Sequence, residues 1–290
     1  MKLEGTVIAA HGRHYLVELA DGSTLPCFPR GKKSDLACGD RVSVRRSSES
    51  QGVIDSVMPR QTLLYRSNEF RQKLIAANVT QIIIVVATEP SFSEELVTRC
   101  LVAAESQDIS ALIVLNKCDL ASRLAPAENA LEAIARLDYP VIHLSARCSV
   151  EDLRPHLAGH TSVLVGQSGM GKSTLVNALI PLANARTREI SAALDSGKHT
   201  TTHATLYRLD DNSALIDSPG LQEFGLHHLS MPELEHGFRE LRPFLGQCRF
   251  RNCRHDREPG CAVREALAAG RIDPNRFAVF SSLSRESRPL

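Results

Sequence analysis

The 290-residue chain has no tryptophan, and phenylalanine and tyrosine together supply only 4% of it. Aromatic platforms for stacking successive bases are therefore scarce, and within residues 1–60 only Tyr15 and Phe28 are available. Long apolar runs are missing too. The longest, Ile82 to Ala87, is far short of the ~20 residues that a membrane-spanning helix needs. Met1 to Glu4 also opens on no signal-peptide apolar region. These absences predict a cytoplasmic protein with no membrane partner, and a monomer is expected. A secreted disulfide framework is excluded by the cysteine pattern. Cys27, Cys38, Cys100, Cys118 and Cys148 are scattered and fit small buried residues, whereas Cys248, Cys253 and Cys261 are crowded together.

Net charge is only +1, but it is unevenly spread. Residues 1–60 carry nine Lys/Arg against seven Asp/Glu, and residues 231–290 carry eleven against eight. The remaining fourteen basic and eighteen acidic residues lie between them. Two basic ends around an acidic centre suit an anionic partner held by the flanks.

The chain is organised around Gly166-Gln167-Ser168-Gly169-Met170-Gly171-Lys172-Ser173-Thr174. A short apolar strand, Val163–Val165, precedes it, and a helical stretch through Ile180 follows. Glycines let backbone N–H groups converge on phosphate oxygens, and the helix N-terminus adds partial positive charge. In such a loop Lys172 reaches the β- and γ-phosphates and the Ser173 hydroxyl ligates Mg²⁺. The pattern predicts a nucleoside triphosphate site.

Upstream, residues 1–60 read as five short strands: 3–10, 15–19, 25–28, 42–44 and 52–57, with turn signals at Asp21-Gly22, Gly39-Asp40 and Ser50–Gly52. They predict a small OB-fold or SH3-like β-barrel. Its loop with Arg30, Lys32 and Lys33, followed by Arg45-Arg46, suits contact with a nucleic-acid backbone. Residues 58–62 read as a linker. Strands then alternate with helices: 81–87, a helix from a Ser91/Glu94 capping box to about Gln107, 111–115, a helix over 126–137, and 141–144. This predicts a parallel α/β sheet.

Strand 111–115 ends in Asn116-Lys117-Cys118-Asp119, and strand 141–144 ends in Ser145-Ala146. Both resemble the guanine-specifying motifs of GTPases. The resemblance implies that Asp119 accepts from guanine N1–H and the 2-amino group. It also implies that Asn116 contacts guanine and braces the phosphate loop, that the Lys117 stem covers the base, and that the Ala146 N–H meets O6. Further on, a strand pair, 205–209 and 214–216, ends in Asp217-Ser218-Pro219-Gly220. This is similar to the GTPase motif whose Asp reaches Mg²⁺ through water and whose Gly N–H senses the γ-phosphate. Gly197 to Thr202 sits where the first switch belongs, with Thr201 the expected second Mg²⁺ ligand beside Ser173. Leu221 stands where Ras-like enzymes place a water-orienting glutamine, so His199 is the candidate to position water; a solvated loop histidine is the alternative. The catalytic set is thus Lys172, Thr201 and His199, with slow intrinsic turnover stimulated by a partner.

Motif order is unusual. The guanine motifs precede the phosphate loop, and the switches follow it. A sheet tolerates such a circular permutation when the former termini lay close together. The second switch then leads straight into the C-terminal segment. There Cys248-x₄-Cys253-x-His255-x₅-Cys261 supplies three thiolates and one imidazole, a closed set for structural Zn²⁺ with no open coordination position. Helices are expected from Met231 to Phe238 and from Ala262 to Ala269, followed by a tail. Arg249, Arg251, Arg254 and Arg257 interleave with the ligands.

Together these features resemble the circularly permuted GTPases of small ribosomal subunit biogenesis, the RsgA family. The resemblance implies a multidomain chain: an RNA-binding OB-fold at 1–60, a permuted P-loop GTPase domain at 61–228, and a helical zinc-binding domain at 229–290. It implies GTP and GDP as ligands, Mg²⁺ with GTP, one structural Zn²⁺, and binding to the small subunit and its rRNA. Hydrolysis stimulated by that subunit would act late in its maturation. A GTP-controlled RNA- or protein-binding regulator acting away from the ribosome is the alternative.

Overall fold

The computed structural model describes residues 2–31, 35–68, 71–181, 183, 204–218 and 226–286. Lys32 and Lys33, His199 and Thr201 of the first switch, and Gly220, Leu221 and Gln222 of the second lie outside the described residues.

Five strands open the chain: β1 (Lys2–His11), β2 (His14–Leu19), β3 (Thr24–Pro29), β4 (Arg41–Arg46) and β5 (Gly52–Val57). They pair in the order β1-β2-β3-β5-β4, and β4 returns to β1, which closes the predicted OB-type barrel. Val7, Val17, Leu25, Val42, Val44 and Ile54 fill it. The stretch read as a linker is no loose tether. Arg60 donates to the fully buried Asp40 carboxylate at 2.7 Å and 2.8 Å, and the Thr62 hydroxyl donates to Val79 O at 2.7 Å. A two-stranded sheet that sequence reasoning missed follows: β6 (Leu63–Asn68) and β7 (Arg71–Ala77).

The α/β portion contains β8 (Gln81–Ala87), α1 (Glu94–Glu105), β9 (Ser110–Asn116), α2 (Ala121–Ala135), β10 (Val141–His143) and α3 (Arg154–Leu157). It continues with β11 (Thr161–Val165), α4 (Lys172–Leu179), β12 (Thr205–Arg208) and β13 (Ala214–Asp217). Strands β10-β9-β8-β11-β13 run parallel, β12 is antiparallel to β13, and β12 meets β1 of the barrel at Ala9↔Thr205. Strand β8 is apolar throughout after Gln81 because both its faces are covered. Ile82, Ile84 and Val86 join the cluster containing α1, while Ile83, Val85 and Ala87 join the one containing α4.

Two helix boundaries differ from expectation. Ser93, not Ser91, caps α1: it is extended (φ −85°, ψ 116°), and its Oγ accepts from Leu96 N–H at 3.2 Å. Helix α2 begins before Pro126, which sits inside it and has no N–H to give the helix.

The C-terminal lobe holds α5 (Met231–His236), a 3₁₀ segment (Arg239–Phe244), α6 (Ala262–Ala268) and α7 (Pro274–Glu286). The expected tail is therefore largely a helix. Asp273 accepts from the N–H groups of Asn275 and Arg276, and Pro274 occupies the first turn, a start signal that was present in the sequence. Phe277, Phe280 and Leu283 of α7 pack into the cluster that contains α1.

Candidate active site and metal centre

Every predicted nucleotide-binding segment among the described residues lies at the C-terminal edge of a parallel strand. Asn116 ends β9, Ser145-Ala146 follows β10, the phosphate loop follows β11, and Asp217 ends β13. Ligands of open α/β sheets bind at this edge. The segments enclose a cleft of about 620 Å³, lined by Asn116, Lys117, Asp119, Ser145, Ala146, Ser168, Gly169, Gly171, Lys172, Ser173, Thr174 and Asp217. Glu89, Leu120 and Arg147 line it as well, and sequence reasoning had named none of them.

The loop's glycines have distinct physical reasons. Gly166 (φ 152°) passes so close to β8 that a Cβ would stand 2.2 Å from Val85 O. Gly171 (φ 91°) starts α4, and a Cβ there would stand 2.3 Å from Asn116 Nδ2. Any side chain at 171 would displace that amide.

Asn116, only 2% exposed, joins the two halves of the site. Its Nδ2 donates to Met170 O at 2.9 Å, while its Oδ1 accepts from Lys117 N–H at 2.8 Å and Ala146 N–H at 2.9 Å. The bracing of the phosphate loop implied by the resemblance is thus present in the geometry. Ala146 lines the cleft, and its buried N–H donates to Asn116. Lys117, with φ 62°, folds across the loop and donates through Nζ to Glu89 O and Gly169 O, each at 2.7 Å. Met170 is buried and contributes only backbone, whereas Ser173 and Thr174 are exposed. The Cys118 thiol donates to Leu115 O at 3.2 Å and so faces its own strand. Gln167 does more than fill a loop position: its Oε1 accepts the Ser93 N–H at 2.8 Å, tying the phosphate loop to the start of α1.

Lys172 Nζ donates to Gly166 O and to Gln167 O. Burial pushes its pKa down, opposed by Asp217. Burial likewise pushes the Asp217 carboxyl up, opposed by Lys172. The pair is half-buried at one end of the cleft, where charge on an incoming phosphate would be poorly screened and strongly felt.

Sequence comparison decides the family. A profile of the RsgA GTPase family matches residues 57–227. The chain is 56% identical over 281 residues to the small ribosomal subunit biogenesis GTPase RsgA of Nitrosospira multiformis, covering 97% of this chain and 90% of that one. It is also 56% identical to the protein of that name from Burkholderia pseudomallei, covering 100% and 94%. The chain belongs to the RsgA GTPase family. Solved structures agree. YjeQ from Thermotoga maritima superposes with a TM-score of 0.74 at 30% identity, covering 99% of each chain. YloQ, described as a circularly permuted GTPase, gives 0.72 at 26% identity over 100% and 97%.

The RsgA-family chain carries a second constellation in its C-terminal lobe. One ligand atom from each of Cys248, Cys253, His255 and Cys261 lies within 4.8 Å of all the others. Cys248 Sγ is 3.9 Å from Cys261 Sγ, and His255 Nδ1 is 3.6 Å, 3.6 Å and 3.2 Å from Cys248, Cys253 and Cys261. A tetrahedral ion with sulfur bonds of ~2.3 Å would need separations of about 3.8 Å, so this donor set fits a metal ion. Glu235, which sequence spacing could not connect to the cluster, lies 3.2 Å from His255 Nε2 and turns Nδ1 towards the thiols. No helix among the described residues is long and apolar enough to cross a membrane.

Proposed function

We propose that this chain hydrolyses GTP to GDP and phosphate in the biogenesis of the small ribosomal subunit, the role that its relatives' names state. The observation that carries the reading is Asn116, which locks a guanine-type motif to a phosphate loop that follows it in sequence. In this reading Asp119 at the cleft mouth accepts from the guanine N1–H and 2-amino group. Lys117 and Leu120 flank the base, and the Ala146 N–H holds the Asn116 amide. The N–H groups of Gly169 to Thr174 cradle the phosphates, and Lys172 leaves its loop carbonyls to meet the β- and γ-oxygens. Ser173 and Thr201 would hold Mg²⁺, with Asp217 acting through water. The ion supplies charge neutralisation between the β- and γ-phosphates. A half-buried carboxylate and an exposed hydroxyl lining one cleft suit such a cation. Gly220 would sense the γ-phosphate, and His199 would position water.

Docking of the basic flanks on rRNA is proposed to order the switches. Basal turnover is then slow, and purified small subunits are expected to raise it on the order of 10³-fold. Turnover that is unchanged by subunits would defeat this reading.

The Cys248–Cys253–His255–Cys261 cluster is proposed to hold one structural Zn²⁺. Metal analysis should find about one zinc per chain, and chelation should lower the melting temperature of the C-terminal lobe by more than about 10 °C. A chelator-treated, metal-free protein with an unshifted transition would remove the ion's structural role.

A further inference from the structure

Phe250 stands on the metal loop in an unusual setting. In a chain with so few aromatic residues it is 41% exposed, and the other large apolar residues that exposed among the described ones are Val57 and Leu120. Leu120 belongs to the nucleotide cleft. A single exposed ring is ordinary on a protein surface, and it is the setting of this one that points to a contact.

Its surroundings are cationic. Arg249 and Arg251 flank it, Arg254 and Arg257 follow on the same loop, and all four are exposed. The Arg249 guanidinium carbon lies 5.5 Å from the ring centroid. None of the four guanidinium groups forms a hydrogen bond or ion pair with the described residues. One of the two carboxylates on this loop is otherwise engaged: Glu258 accepts the backbone N–H groups of Arg254, Asp256 and Arg257 at 2.8–3.0 Å. The Asp256 carboxylate remains as the counter-charge on this loop. The loop backbone is fixed as well. Arg249 N–H donates to Gly260 O at 2.9 Å and Cys253 N–H to Phe250 O at 3.2 Å, with Cys248 and Cys253 in the thiol cluster. Little ordering entropy is left to lose on binding.

We propose that Phe250, flanked by Arg249 and Arg251, is a stacking platform for an unpaired base of single-stranded RNA, with the arginines on the adjoining phosphates. One ring among guanidiniums suits one base with its phosphates. A protein partner would ask for a contiguous apolar patch, and Phe250 has Arg249 and Arg251 as its chain neighbours. The proposal rests on the RNA partner of the preceding reading and sharpens it to one residue.

The test uses the full-length, metal-loaded protein and short single-stranded RNAs carrying 2-aminopurine, with a duplex of the same sequence as control. The wild-type protein is expected to quench the probe and to bind the single strand more tightly than the duplex. Phe250→Leu should lose about tenfold or more in affinity without altering the salt slope, because stacking is not counterion release. Phe250→Tyr should keep both the quenching and the affinity. Arg251→Ala should reduce the salt slope by about one while leaving the quenching in place. Metal content and basal GTP turnover, read on each variant, should match the wild type. Equal binding by Phe250→Leu and wild type overturns the platform, as does equal binding of duplex and single strand, and either result would favour a protein contact. Failure of the ribosomal reading shows separately, as wild-type turnover that small subunits do not stimulate.

Discussion

Asp119→Asn is expected to turn a GTP-selective enzyme into one that prefers xanthosine triphosphate, with the kcat/KM ratio moving by roughly 10³ or more. Sites built on polar complementarity discriminate by about 10⁴–10⁵ because a mismatch leaves buried polar groups unpaired. Guanine presents two donors to a carboxylate. Asparagine can answer only one and turns its amide N–H₂ towards the other, whereas xanthine carries a carbonyl there. The substitution should leave the fold alone: Asp119 is exposed, and its side chain makes no hydrogen bond to the described residues. Surface changes of this kind shift stability by only about 0.5 kcal/mol. Steady-state turnover with both nucleotides, alongside a melting curve, checks the result. A variant that melts like the wild type yet still prefers GTP would show that Asp119 does not read the base.

Glu240→Ala should be the most damaging single change outside the nucleotide cleft. Glu240 and Arg276 are buried, with side chains 5% and 4% exposed. Arg276 donates to Glu240 through Nε and, at 3.2 Å, through Nη2, and it reaches Thr98 Oγ1 of α1 at 3.2 Å. Its guanidinium carbon lies 5.5 Å from the Phe238 ring. Removing the carboxylate strands a buried cation, which typically costs about 3–5 kcal/mol, a large share of a stability of ~5–15 kcal/mol. Replacing both partners, as Glu240→Leu with Arg276→Met, removes the two charges together and should recover most of that loss. Urea unfolding of the three proteins separates the cases. If the single variant is as stable as the wild type, or the double variant falls further than the single, the desolvated-charge account fails.

The same pair shows how the C-terminal lobe meets the GTPase domain. At the far end of α1, Glu105 accepts from Tyr139 OH at 3.0 Å, Arg239 Nε at 2.7 Å and Arg242 Nη2 at 2.6 Å. Burial alone would raise the Glu105 carboxyl. The guanidiniums and the tyrosine hydroxyl outweigh it and hold the carboxyl below its ordinary value. Arg99 adds a pair with Glu286 of α7 at 2.5 Å. Gly237 runs so close to α1 that a Cβ would stand 2.8 Å from Val102 Cγ1. Sequence order suggests a lobe tethered through Gly220. The described contacts instead seat it on α1, the helix whose first turn is bonded to Gln167 of the phosphate loop.

How much of this was legible in the sequence varied with the range of the interaction. Strands of the barrel and sheet could be read because period and turn residues are local properties. The β6–β7 hairpin escaped because no glycine or Asn-Gly turn marks it. Helix α7 escaped although Asp273-Pro274 marked its start, because its apolar residues read as a tail until α1 supplied something to cover. The Cys-Cys-His-Cys spacing marked a candidate metal site, but Glu235 belongs to another segment and only folding brings it to His255.

Without long apolar runs or abundant aromatics, the chain builds its cores from aliphatic strands and leaves one phenyl ring exposed on the metal loop. The sequence alone marked the phosphate loop, the guanine-type motifs, their permuted order and a Cys-Cys-His-Cys set able to hold a metal ion, because each is a short pattern imposed by the chemistry of its own segment. Tertiary structure decided what no local pattern encodes. It bonded the Ala146 N–H to Asn116, joined Gln167 to Ser93 at the start of α1, and clamped the C-terminal lobe to that helix with buried charge. Those choices depend on which groups meet across 30 to 187 residues, and on the cost of leaving a buried donor or charge without a partner.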